Sequence, residues 1–337
     1  MTIIELVLSL TAILGAAILF TNSVEMLGER LNLGQEAVGS VLAAVGTALP
    51  ETMIPLVAIL GAMIFGDSTG ASGAIGIGAI LGAPFLLTTL AMLVVGASAL
   101  GFRRRRGNGA DVVIDREVAL RDVAFFLVFY FVAAGAGLVV LPIYIKIAVV
   151  IVLLGAYGLY VRKTLKSDGG SEDDAPKNLV LWPSGSQAPT WAVIAQTLGA
   201  LVVMALGAHF FVSAIEHGSK SIGVPAGLVA LIIAPLATEL PEKFNSMLWM
   251  KDNKDTLAFG NITGALAFQS TIPVSIGILL TEWHLSFLNV FSVALALISG
   301  AFLYSLIRSK KSIRGLYLLS GGLLYAIFVA VAVFSLL

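Results

Sequence analysis

The chain has 337 residues, 58% hydrophobic and only 12% charged, with a mean hydropathy of +0.99. Soluble domains carry roughly 45–50% apolar and about 25% charged residues, so the composition excludes a soluble protein and indicates an all-α polytopic membrane protein. Cysteine is absent, which excludes a disulfide framework and thiolate metal or redox chemistry. The formal net charge of zero gives no sign of a nucleic-acid partner, and in a membrane chain the placement of Lys and Arg matters more than their total.

Segments of about twenty apolar residues can cross a hydrocarbon core roughly 30 Å thick, and ten occur: 3–27, 36–65, 73–101, 118–140, 142–161, 190–215, 225–250, 257–281, 285–307 and 316–337. The first lacks a basic leading region and is long for a secretory signal, so it reads as a retained helix. Arg103–Arg106 with Arg116, then Arg162, Lys163 and Lys166, then Lys251 and Lys254, then Arg308, Lys310, Lys311 and Arg314 all follow odd-numbered spans. Cytoplasmic loops collect such cations, so these loops are expected in the cytoplasm and both termini outside.

The stretch 166–189, rich in Gly, Ser, Pro and acids, reads as a linker. It suggests a first repeat over 1–161, a cytoplasmic linker over 162–189 and a second repeat over 190–337. Phe20 to Glu51 aligns with Phe211 to Glu242 without a gap, with identities at Phe20, Glu25, Val38, Ala43, Thr47, Leu49, Pro50 and Glu51. "GAILGAPFLLTT" (Gly78–Thr89) likewise resembles "GNITGALAFQST" (Gly260–Thr271). Five spans per repeat is an odd number, so the second repeat crosses the membrane in the opposite sense, an inverted arrangement that places transporter sites near the midplane.

The duplicated motif is "GTALPE" and "ATELPE". A carboxylate at mid-span is costly and marks function by default. Thr47 and Glu51 are i,i+4, as are Thr238 and Glu242, so each hydroxyl shares a helix face with its acid. Each Pro disturbs the carbonyl four residues earlier, at Gly46 and Ala237. A hydroxyl, a carboxylate and a loosened carbonyl are hard oxygen donors suited to a cation such as Ca²⁺; the bland alternatives are a helix kink and a protonated or paired Glu.

These motifs, with the Gly-rich helices that follow them, resemble the two α-repeats of the Ca²⁺/cation antiporter superfamily, which includes Na⁺/Ca²⁺ and H⁺/Ca²⁺ exchangers. The resemblance covers essentially the whole chain and implies the sodium/calcium exchanger fold. It also implies that Glu51 and Glu242, with Thr47 and Thr238, bind the competing ions. Ala48 and Glu239 replace the motif serines, Ala83 and Ala265 replace serines of the next helices, and Leu87 and Gln269 stand at the Asn or Asp positions. Gln269 thus joins the expected ligands, and Glu239, i,i+3 from Glu242, either adds a third carboxylate or pairs with Lys243 at i,i+4.

Lesser candidates have bland readings. Glu25 and Glu216 suit solvated helix ends or a gate, His209 a hydrogen-bonded interior histidine or a proton relay, and Asp67 a solvated outer loop. The run Arg103–Arg106 anchors topology, and Glu172–Asp174 fit a solvated linker. The leading expectation is a secondary antiporter exchanging a divalent cation, Ca²⁺ first, for Na⁺ or H⁺. The alternatives are exchange of Mg²⁺, Mn²⁺ or only Na⁺ and H⁺, or a channel or sensor on the same scaffold. No enzymatic motif, permanent cofactor or obligatory protein partner is expected; the partners are inorganic cations and the lipid bilayer.

Overall fold

The computed structural model describes residues 2–30, 49–66, 70–167, 178–182, 188–309 and 312–336. The described chain is almost entirely helical, in chain order α1 (Thr2–Arg30), α2 (Leu49–Phe65), α3 (Ala71–Gly101), α4 (Arg116–Gly135), α5 (Ile143–Ser167), α6 (Thr190–Ile222), α7 (Ala226–Lys251), α8 (Asp255–Leu280), α9 (Phe287–Ser309) and α10 (Gly315–Phe334). Among the described residues, eight helices are long and apolar enough to cross a membrane, and the apolar stretches Leu49–Ile64 and Ala226–Glu239 are shorter. Residues 36–48 of the expected second span, and with them Gly46 and Thr47, lie outside the described residues, as do Asp67 and Glu172–Asp174.

Local chemistry sets the helix limits. The Asp115 carboxylate accepts from the Glu117 and Val118 amides at 3.1 Å each, capping α4. Gly223, at φ +68°, ends α6 in the left-handed conformation that glycine adopts without steric cost, and Pro225 then starts α7.

Among the described residues α10 is interrupted at Leu319, and α3 and α8 are irregular at positions that the sequence repeat equates. In α3, residues Leu87–Ala91 form a π-helical turn just after Pro84, which lacks an N–H. The Thr88 hydroxyl donates to the Pro84 carbonyl at 2.9 Å, and Ser299 of α9 donates to the Thr88 carbonyl at 2.7 Å. In α8 the helix runs from Asp255 to Gln269, breaks at Ser270 and Thr271, and resumes over Ile272–Leu280 with Pro273 in its first turn. There the Ser270 and Thr271 hydroxyls donate back to the Ala267 carbonyl at 2.9 and 3.1 Å. Irregular backbone at membrane depth is tolerated where protein or a cavity, and not lipid, surrounds it.

Glycine permits the closest helix contact. A Cβ on Gly78 would meet the Gly227 carbonyl oxygen at 2.1 Å, and one on Gly207 would meet Ile13 of α1 at 2.9 Å. So α3 lies backbone to backbone on α7 and α6 lies against α1, each pair joining one half of the chain to the other. Ile13, Met204, Ala208 and Phe211 form the core between α1 and α6, and Phe85, Phe126, Phe259 and Phe328 belong to the larger core of the remaining helices. Ile151, Val152 and Leu159 of α5 are exposed, as suits a helix facing lipid.

The connections sort to two ends. Asp111–Val113 (β1) pairs antiparallel with Ser312–Arg314 (β2), with Val112 opposite Ile313, joining the α3–α4 and α9–α10 connections. Arg116 donates to the Ile307 carbonyl at 3.1 Å at the same end. At the other end Lys146 donates to the Thr281 and Glu282 carbonyls at 2.9 and 3.2 Å, and Trp283 donates to the Ala133 carbonyl at 2.9 Å. The described cation-rich connections therefore share one end, as the charge pattern requires. Residues 178–182 dock on α1 and α6: Asn22 accepts from the Val180 amide at 3.0 Å and Gln196 from the Leu181 amide at 3.1 Å.

Candidate cation site

The described candidate residues lie on α2, α7 and α8, helices that contact one another. Glu51 lies in the first described turn of α2 and is 7% exposed, with Thr52 buried beside it. On α7, which remains helical through Pro241, Thr238 and Glu239 are each 2% exposed. The Thr238 hydroxyl donates to the Ala234 carbonyl at 3.1 Å, leaving its oxygen lone pairs as acceptors for a cation. Ala237 lies half-buried on the same helix. The side chain of Glu242 lies outside the description, so the structure places its backbone on α7 and nothing more.

Glu239 and Lys243 meet at 3.1 Å, both side chains 2% exposed, and the same ammonium donates to Asn261 Oδ1 of α8 at 3.4 Å. Of the two sequence readings of Glu239, the observed geometry is the ion pair. Burying the pair costs desolvation of both ions, offset by their mutual attraction at low dielectric and by the Asn261 bond.

Gln269 sits at the α8 break, 1% exposed, and its Oε1 accepts no hydrogen bond from the described residues. The repeat-related position in α3 is Leu87, fully buried and apolar. Around the two irregular turns Thr88, Thr89, Ser270, Thr271 and Ser275 are all buried, so hydroxyls cluster where the helical hydrogen bonding lapses. Oxygen donors of this kind suit hard cations. Among the described residues no three His, Asp or Glu side chains form a metal-ligating group.

Several polar residues escaped the sequence reading. Asp122 of α4 is 2% exposed, and accepts from Tyr160 of α5 and Thr263 of α8 at 2.9 Å each and from Arg121 at 3.2 Å. A charged residue inside an apolar span was the available signal. Arg106, read with its neighbours as a topology anchor, is buried and paired with Asp255 at 2.5 Å. Asp255 Oδ2 also accepts from the Val113 amide at 3.0 Å, so one ion pair ties β1 to the start of α8.

His209 is the clearest correction: it is exposed on α6, in edge contact with Phe210 at 5.7 Å, and not a hydrogen-bonded interior residue. It follows the fully buried Ala208, and one step of about 100° on a helix turns it off the α1-facing side. Glu216 is partly exposed and paired with Lys220 at 2.8 Å, in keeping with a solvated helix end.

Comparison with known proteins agrees with this architecture. The family model described as sodium/calcium exchanger protein matches residues 1–165 and 192–337. A crystal structure of the H⁺/Ca²⁺ exchanger CAX superposes with a TM-score of 0.72 at 14% identity, covering 99% of this chain and 86% of that one. The sodium-calcium exchanger NCX_Mj, soaked with Na⁺ and Sr²⁺, superposes with a TM-score of 0.58 at 20% identity, covering 98% of this chain and 97% of that one. At such identities the likeness is one of fold. A curated relative, vacuolar cation/proton exchanger 1c of Oryza sativa subsp. japonica, is 27% identical over 140 residues, which span 39% of this chain and 29% of that protein.

Proposed function

The chain belongs to the sodium/calcium exchanger protein family of multi-pass membrane proteins, and from that premise we propose that it is a secondary antiporter moving a divalent cation, Ca²⁺ first, against Na⁺ or H⁺. It alternates access to one midplane site formed by two inverted five-helix repeats, 1–161 and 190–337, joined by a cytoplasmic linker, with both termini outside. Glu51 and Glu242 are the shared carboxylates. Thr47, Thr238 and Gln269 add oxygen donors, with the Gly46 and Ala237 carbonyls beside them. Competition of two ion species for one pair of carboxylates is what couples their movements.

The observation that carries the reading is the matched irregularity of α3 at Leu87–Ala91 and α8 at Ser270–Thr271, together with the burial of Glu51 on α2. Interrupted helices from both repeats, converging at one depth, are how transporters of inverted architecture present backbone and side-chain oxygens to cations. A second reading, exchange of Mg²⁺ or Mn²⁺, is favoured by Leu87, because a shell short of protein oxygens suits an ion that keeps its waters.

Radiolabelled Ca²⁺ uptake into proteoliposomes under an imposed Na⁺ or pH gradient tests the proposal, with unlabelled Mg²⁺ and Mn²⁺ as competitors. Gradient-driven uptake that is lost in Glu51→Gln with Glu242→Gln supports it. Uptake indifferent to those substitutions sinks it, and uptake that proceeds without any counter-gradient identifies a channel instead.

A further inference from the structure

The seam between α7 and α8 contains a lysine that the exchange reading leaves unused. Lys243 is 2% exposed, with its ammonium 3.1 Å from Glu239 Oε2 and 3.4 Å from Asn261 Oδ1. A buried cation beside a cation path is doubly unfavourable, since it is desolvated and it repels the cargo. Its position is close to the exchange motif. Lys243 directly follows Glu242, and Asn261 stands eight residues before Gln269 on one helix, about 12 Å at 1.5 Å per residue. The acid that neutralises it, Glu239, is the one that would otherwise give the site a third carboxylate.

We infer that Lys243 is a specificity-determining residue: its ammonium is a built-in cation that occupies Glu239, ties it to α8 through Asn261, and withholds it from the transported ion. The inference rests on the proposed exchange at Glu51 and Glu242. The ion pair is neutral as a unit, so the charge left for cargo is that of two carboxylates, which one divalent or two monovalent cations balance. Without the ammonium the site holds three carboxylates, a charge that a trivalent cation balances and that calls for one more monovalent counter-ion per cycle.

The test is La³⁺ and Ca²⁺ binding to the purified full chain by calorimetry, together with the reversal potential of Ca²⁺ flux in proteoliposomes. Lys243→Met is expected to bind La³⁺ about tenfold or more tightly than the unaltered chain, because a unit charge acting across some 10 Å at intermediate dielectric is worth at least that factor. Its reversal potential should shift toward one additional counter-ion. Lys243→Arg retains the charge and should keep the original affinity and potential.

The paired variant Glu239→Gln with Lys243→Met leaves no buried ion unmatched, so it decides the matter even if Lys243→Met does not fold. Wild-type Ca²⁺ affinity in the pair supports the inference. A tenfold loss there makes Glu239 a ligand and overturns it, as does unchanged La³⁺ affinity in a folded Lys243→Met. Absence of gradient-driven flux in the unaltered chain counts against the exchange reading alone, because the binding comparison does not depend on turnover.

Discussion

A Cβ on Gly82 would stand 2.1 Å from the Leu231 carbonyl oxygen and 2.6 Å from the Pro235 ring, so α3 and α7 touch through their backbones at this point. Neither a carbonyl in a continuous helix nor a proline ring can move aside as a flexible side chain would. Gly82→Ala is therefore expected to destabilise the fold by about 2–3 kcal/mol, the cost of overpacking a close-packed interior. Gly101, on the same helix, has nothing within 4 Å of its Cβ position and serves as control. Thermal unfolding in detergent reads the difference, and equal melting of Gly82→Ala and Gly101→Ala would show that the helices separate at no cost.

The Arg106–Asp255 pair supports a second prediction. Both side chains are at most 1% exposed, and Arg106 also donates to the Asp111 carbonyl at 3.0 Å. Breaking a buried ion pair from one side leaves an uncompensated charge, at a cost of about 3–5 kcal/mol. Arg106→Met alone should lower the melting temperature and expose the 111–113 strand to hydrogen exchange. Arg106→Met with Asp255→Asn should recover much of the loss, since no ion is then stranded. A double variant no more stable than the single one would mean that the guanidinium acts through its packing and its bond to Asp111.

Eight of the ten expected spans, all but the second and seventh, coincide among the described residues with helices long and apolar enough to cross a membrane, because lipid imposes long apolar runs on such helices. The distribution of Lys and Arg correctly placed the α3–α4 and α9–α10 connections at one end, where β1 meets β2. The Glu239–Lys243 pair was readable because its partners lie one helical turn apart. Arg106 was not, since nothing local distinguishes it from Arg103–Arg105, and its partner Asp255 is brought in only by the fold. Asp122 could have been singled out as an acid inside an apolar span, but its partners, which come from α5 and α8, could not. The irregular turns of α3 and α8 depend on hydroxyls folding back on the chain and on neighbours such as Ser299, which no periodicity reports.

Gln269 yields the last prediction, in which stability and function move in opposite directions. Its Oε1 is buried at the α8 break with no donor among the described residues. A buried acceptor without a partner is a standing cost of about 1–3 kcal/mol, so Gln269→Leu should leave the melting temperature unchanged or raise it. If that oxygen is held ready for a cation, the same substitution should weaken Ca²⁺ binding about tenfold and slow gradient-driven uptake. A purely structural glutamine would behave otherwise, losing stability without a change in affinity for the ion. The repeat-related change Leu87→Asn, which adds an amide to the first half where the chain now has a buried apolar side chain, should strengthen divalent binding. Calorimetric Ca²⁺ titrations and melting curves on the two variants read all four quantities. A Gln269→Leu protein that is both less stable and unaltered in affinity removes Gln269 from the site.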